Sequence, residues 1–113
     1  MSLEEYFSTG PTFERPIFDA VMRHLEGIGP VHVEPVAVGI FLKRARSFVE
    51  LRPKTKWVAM CLFLPHPVQH RLITRKVMEY NGTYYAVANL KTADDVNPAL
   101  CALLTEAYLN SPE

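Results

Sequence analysis

A chain of 113 residues, 49% apolar and 21% charged, is long enough for one domain with a core of its own and too ordinary in composition for a disordered or fibrous protein. Twelve basic and twelve acidic residues give a formal net charge of zero, whereas a strong nucleic-acid binder is usually basic throughout. The longest apolar run, Trp57 to Pro65, falls far short of the roughly 20 residues a membrane helix needs, and "MSLEEYFSTG" lacks the basic-then-apolar order of a secretory leader.

The charge is unevenly placed. Residues 1–36 sum to −4, residues 37–56 to +5, residues 57–91 to +3 and residues 92–113 to −4. A basic middle is therefore flanked by acidic ends. Cys61 and Cys101 both lie in apolar patterns, which favours reduced, buried thiols in a cytoplasmic protein over a disulfide framework.

In chain order, Ser2 followed three residues later by Glu5 has the spacing of a capping box and starts a short helix that Gly10 and Pro11 end. Phe13, Ile17, Val21, Leu25 and Ile28 then recur at helical spacing, predicting a helix from about Thr12 to Glu26, with Pro16 tolerated near its first turn. "GIGP" stops it. Strand signals follow at about 31–36, 38–44, 47–53, 56–64, 73–80 and 83–90, the last two joined by Asn81-Gly82, a strong short hairpin signal. Thr92 with Asp95, and Asn97 before Pro98, read as two successive caps, after which Leu100, Leu103, Leu104, Ala107 and Tyr108 form one apolar stripe. The order predicts a single α+β domain over 1–113: a two-layer fold in which N-terminal and C-terminal helices flank an antiparallel sheet of five or six strands.

The segment "GIFLKRARSFVELRPKTKWVAMCLFLP" sorts into two faces. A two-residue turn at Ala45-Arg46 pairs Leu42 with Val49 and Ile40 with Leu51. A turn around Lys54-Thr55 pairs Arg52 with Trp57, Leu51 with Val58 and Val49 with Met60. One face then holds Ile40, Leu42, Val49, Leu51, Val58, Met60, Leu62 and Leu64, an aliphatic core under the helices. The other holds Phe41, Lys43, Phe48, Glu50, Arg52, Trp57, Ala59, Cys61 and Phe63. Four aromatic rings on a face meant only for water would be unusual, so a cover is expected: the protein's own helices, a twin subunit or a ligand.

With that pattern assembled, "EEYFSTGPTFERPIFDAVMRHLEGIGPVHVE", "IFLKRARSF", "MCLFLP" and "LKTADDVNPALCALLTEAY" together resemble a small uncharacterised bacterial domain family loosely labelled a predicted transport protein. The resemblance spans nearly the whole chain and implies a standalone cytoplasmic domain with no established activity. Lys43, Arg44, Arg46 and Phe48 match the family pattern. Ala37, Ala86 and Asn89 stand where members tend to carry Lys, His and Arg.

No residue set names a reaction. His66 and His70 in "HPVQH" have i,i+4 spacing, but Pro65 and Pro67 favour extended chain, and a third ligand is not in sight. Neither cysteine has an electropositive setting, and the five glycines sit at helix ends and turns rather than in a phosphate loop. No cofactor and no metal are expected. What remains is a basic hairpin interleaved with rings, which suits a non-catalytic binding module whose candidate partner-binding residues are Phe41, Lys43, Phe48, Arg52 and Trp57. The expected partner is a small anionic ligand or another protein, a second copy included, and not a membrane. Single-stranded nucleic acid, which uses such faces for stacking, is a lesser alternative, as is a small enzyme of unassigned active site.

Overall fold

The computed structural model describes residues 1–111. Ser2 and Glu5 close the expected capping box, each backbone N–H donating to the other's side chain at 3.1 Å, and start α1 (Leu3–Phe7). Helix α2 (Glu14–Glu26) begins two residues later than predicted and buries Ile17, Phe18, Val21 and Leu25; Ile28 falls beyond its end and is exposed. At the other end of the chain a 3-10 turn, Ala93–Asp95, leads into α3 (Pro98–Asn110). There Asn97 accepts the Leu100 N–H at 3.0 Å and Pro98 occupies the first helical position, where a missing N–H costs nothing.

Between the helices run β1 (His32–Val36), β2 (Gly39–Lys43), β3 (Ser47–Pro53), β4 (Val58–Leu64), β5 (Met78–Tyr80) and β6 (Thr83–Leu90). They form one antiparallel sheet in the order β1-β2-β3-β4-β6-β5, so the fold is the α+β architecture expected. Gly39 is required where it stands, because a Cβ there would collide with the Leu51 carbonyl across the β2–β3 ladder. Asn81 and Gly82 both take positive φ, 51° and 80°, as a tight hairpin turn demands.

The aliphatic face is the core. Ile40, Leu42, Val49, Leu51, Val58, Met60, Leu62 and Leu64 are each no more than 1% exposed, and the stripes of α2 and α3 join them in one cluster. Ala86, Ala88 and Leu90 of β6 extend it.

Three local expectations are corrected. Across β3 and β4, Val49 pairs with Leu62 and Leu51 with Met60, two residues out from the predicted register. Lys54 and Thr55 cannot readily take the positive φ that a two-residue hairpin needs. The chain therefore uses a longer turn, closed by the Lys54 N–H donating to the Trp57 carbonyl at 2.7 Å. A shift of two preserves the faces, but Trp57 becomes a turn residue and does not pair with Arg52. The Ala45-Arg46 turn gives the predicted Leu42–Val49 and Ile40–Leu51 pairs, then slips by one so that Lys43 opposes Ser47, a bulge with Phe48 as its extra residue. The strand predicted over 73–80 shrinks to Met78–Tyr80, and residues 65–77 form a long loop whose Leu72 carbonyl accepts the Asn89 N–H of β6 at 3.0 Å.

Leu62 lies on central β4 with no exposed surface, so Leu62→Ala should cost on the order of 2–5 kcal/mol in chemical denaturation; a loss under about 1 kcal/mol would contradict this packing.

Candidate binding face

The face opposite the core is built by alternation alone. Phe41, Lys43, Glu50, Cys61, Phe63, Tyr85, Val87 and Asn89 are all partly exposed, and apart from Tyr84 beside Tyr85 their immediate neighbours within each strand are buried. Ladder pairing lines them up in rows: Phe41, Glu50, Cys61 and Val87 in one, and Arg52, Ala59 and Asn89 in the next. Phe63 packs on Tyr85, ring centres 4.8 Å apart and nearly edge to face.

Of the five residues singled out from the sequence, Phe41 and Lys43 share this face, with the Lys43 ammonium 5.9 Å from the Phe41 ring centre. Lys43 is also ion-paired to Glu34 on β1, which holds that carboxyl below its usual range. Arg52 is exposed and its guanidinium lies 3.9 Å from Glu50, a loose surface pair worth little. Trp57 is half-buried in the turn beside exposed Lys54, Thr55 and Lys56. Phe48 is the exception: at 1% exposure it belongs to the core, packed edge to face on Tyr108 of α3 at 5.4 Å. The bulge that displaces the ladder at Phe48 is the reason an alternation argument puts it on the wrong side of the account.

Part of the basic hairpin's charge is spent inside the molecule. Arg44 Nη1 donates to the carbonyls of Tyr108 and Ser111 at 2.9 and 2.8 Å, and its guanidinium stacks 4.2 Å from the Tyr108 ring centre. A cation is thus fixed at the negative end of α3, where free carbonyls need donors. The Ser111 hydroxyl donates to the Arg46 carbonyl at 3.1 Å, and the Tyr108 hydroxyl to the Pro30 carbonyl at 3.0 Å. The Arg46 side chain itself is exposed and borders a cavity of about 250 Å³ with Phe48, Phe63, Thr83, Tyr85 and Asn110. That cavity opens at the Phe63 end of the face.

Cys61 lies on the face with its thiol pushed up to about 11, chiefly by burial and further by Glu50, so it stays protonated and unreactive near neutrality. His66 Nδ1 and Nε2 face the Pro67 carbonyl at 2.9 Å and Glu106 at 3.2 Å, while His70 Nδ1 accepts the Leu72 N–H at 3.1 Å. The two imidazoles serve the loop in different directions, and among the described residues no group of three or more His, Cys, Asp or Glu is placed to hold a metal ion. Nor is any helix of the described residues long and apolar enough to cross a membrane. The three positions that depart from the resemblance are scattered: Ala37 in the β1–β2 turn, Ala86 in the core and Asn89 on the open face.

One pair was not legible in the sequence. Glu14, at the start of α2, is 3% exposed, and Tyr6 of α1 donates its hydroxyl to Glu14 Oε2 at 2.5 Å. Burial pushes the Glu14 carboxyl up, partly offset by the Tyr6 bond, and burial also raises the Tyr6 phenol.

A two-layer α+β domain with one open mixed face is the class this geometry defines. The chain matches the family described as a domain of unknown function, DUF5655, over residues 3–111, and so belongs to that family. No curated protein and no solved structure matches it.

Two outcomes follow. Phe48→Ala should cost about 3–5 kcal/mol in chemical denaturation while Phe41→Ala costs less than about 1 kcal/mol, and equal costs would contradict the division between core and face. Because the folded pKa of Glu14 is raised, the native state binds that proton more tightly than the unfolded chain, and this contribution is present at low pH and lost as pH rises through the folded value. Glu14→Gln keeps an acceptor for Tyr6 without the charge. Its melting temperature should therefore gain on the wild type between pH about 4 and about 7, and a constant difference across that range would refute the assignment.

Proposed function

We propose that the domain is a non-catalytic binding module that receives an anionic partner on the open sheet face and the cavity at its Phe63 end. The observation that carries this reading is the set of half-exposed rings, Phe41, Phe63, Tyr85 and Trp57, left uncovered by the helices while the cations Arg46 and Arg52 remain at the surface. Rings kept partly in water forgo a fraction of the roughly 1.5–3 kcal/mol that full burial of each would give, and docking would recover that fraction. Long cationic side chains can lie over such rings with their charges wet, forming a rim that suits carboxylate or phosphate.

Lys43 and Arg44 contribute less to this rim than their number suggests, since Glu34 and the end of α3 already engage them. Selectivity on this reading rests on Arg46 and Arg52. A cytoplasmic setting accords with two free thiols, Cys61 and Cys101. A transport role has no carrier among these residues, and the binding reading does not depend on one.

The test is a thermal-shift titration of the wild type and of an Arg46→Glu/Arg52→Glu variant against inorganic phosphate, a nucleoside triphosphate and small aromatic carboxylates. At least one probe should raise the wild-type melting temperature saturably, since about 100 times Kd of a native-state ligand adds about 2.7 kcal/mol. The variant should respond weakly or not at all while melting unliganded near the wild-type temperature. Equal responses from both proteins, or none from either, would count against this face.

A further inference from the structure

The cavity at the Phe63 end of the open face is graded from an apolar depth to a polar mouth. Phe48 and Ala107, 1% and 0% exposed, line it on the core side, so it reaches down to the helical layer. Partly exposed Phe63 and Tyr85, paired nearly edge to face, form an aromatic wall. Arg46, Ser47, Thr83 and Asn110 keep some or most of their surface in solvent and stand at the mouth. Among the described residues, neither the Ser47 and Thr83 hydroxyls, nor the Asn110 amide, nor the Arg46 guanidinium has a hydrogen-bond or ion-pair partner.

This grading selects among anions. A charged group pushed to the bottom would lose its water against Phe48 and Ala107 with nothing to replace it, so charge belongs at the mouth and apolar matter in the depth. The mouth offers one cation, and no Asp or Glu among the described residues lines the cavity, so a single negative charge is matched. A second would meet the carbonyl end of α3, which contributes Asn110 and Ser111 to the wall and already claims Arg44. Size narrows the choice further. About 250 Å³ lies below the roughly 300–1,000 Å³ of pockets that hold drug-sized molecules, which leaves room for one ring and its substituents.

We propose that this cavity takes a small aromatic monocarboxylate, ring inward and carboxylate at the mouth. The planar guanidinium of Arg46 meets the two carboxylate oxygens as a fork, and the Ser47 and Thr83 hydroxyls are free to donate to the same oxygens. The ring lies against Phe63 and Tyr85, where aromatic contact adds to burial. This inference rests on the reading of the open face as an anion-binding surface and narrows it, since Arg52 does not line the cavity and has no part in seating such a ligand.

Sodium benzoate is titrated into the wild-type protein beside sodium acetate, which has the charge without the ring, benzamide, which has the ring without the charge, and inorganic phosphate. Ionic strength is held constant, and NMR follows the backbone amide signals of Ser47, Thr83 and Ser111 at the cavity and of Phe41, Arg52 and Ala59 at the far end. Benzoate should move the cavity signals saturably and bind at least about tenfold tighter than each of the other three. Arg46→Gln should weaken benzoate by at least about tenfold, and Thr83→Trp, which fills the mouth, should abolish saturable binding. Arg52→Glu should leave benzoate binding unchanged. The Arg46 side chain is exposed, so Arg46→Gln keeps the test decisive even if Thr83→Trp does not fold. Benzoate held no tighter than acetate and benzamide, or undiminished by Arg46→Gln, would overturn the proposal. Phosphate bound tightest, and through both Arg46 and Arg52, would overturn it while the broader reading of the face stands; no response to any of the three anions would remove both.

Discussion

The guanidinium of Arg44 fixes how the helical layer sits on the sheet. It stacks on Tyr108 and donates to the Tyr108 and Ser111 carbonyls, so the last turn of α3 is tied to the turn between β2 and β3. Tyr108 passes the tie onward, its hydroxyl reaching Pro30 beyond α2 and its ring meeting Phe48 in the bulge. A charge-assisted donor at a helix C-terminus satisfies carbonyls that have no partner within the helix and complements the helix dipole. Lysine at this position would supply a charge but not the flat stacking surface or the fork of donors. The same contact determines what the hairpin has left for any partner, because the residue at the centre of its basic run is turned inward.

How far the sequence could be read follows from which forces are local. Period-two alternation placed eight aliphatic residues correctly, since one slipped residue would have mixed the faces, and the caps at Ser2, Thr92 and Asn97 were recognisable because each uses residues within a few positions. The β3–β4 register was missed by two because loop length depends on whether Lys54 and Thr55 accept turn dihedrals, a matter no hydrophobic pattern records. Phe48 was misplaced because a bulge adds a residue without changing composition. Tyr6 and Glu14 meet across the break between α1 and α2, and their contact needs the three-dimensional angle between those helices, which spacing does not encode.

Of the predicted face, Phe41, Lys43 and Arg52 emerged on the open side, Trp57 at its turn and Phe48 within the core. The Phe63–Tyr85 pair, which the sequence showed only as two strands of unknown adjacency, supplies the aromatic centre in place of Phe48.

The sheet's two borders have a consequence for how copies of this chain could meet. At one side β1 carries Pro35, which has no N–H to offer, next to charged Glu34; at the other, β5 is only three residues long and the rest of β6 is bordered by the loop that bonds Asn89 through Leu72. Neither border presents a long row of unpaired backbone groups of the kind that recruits a further strand. Growth of a continuous sheet from molecule to molecule, the usual route from such a β-rich fold to fibres, is thereby discouraged. Any symmetric pairing is left to side chains meeting face against face.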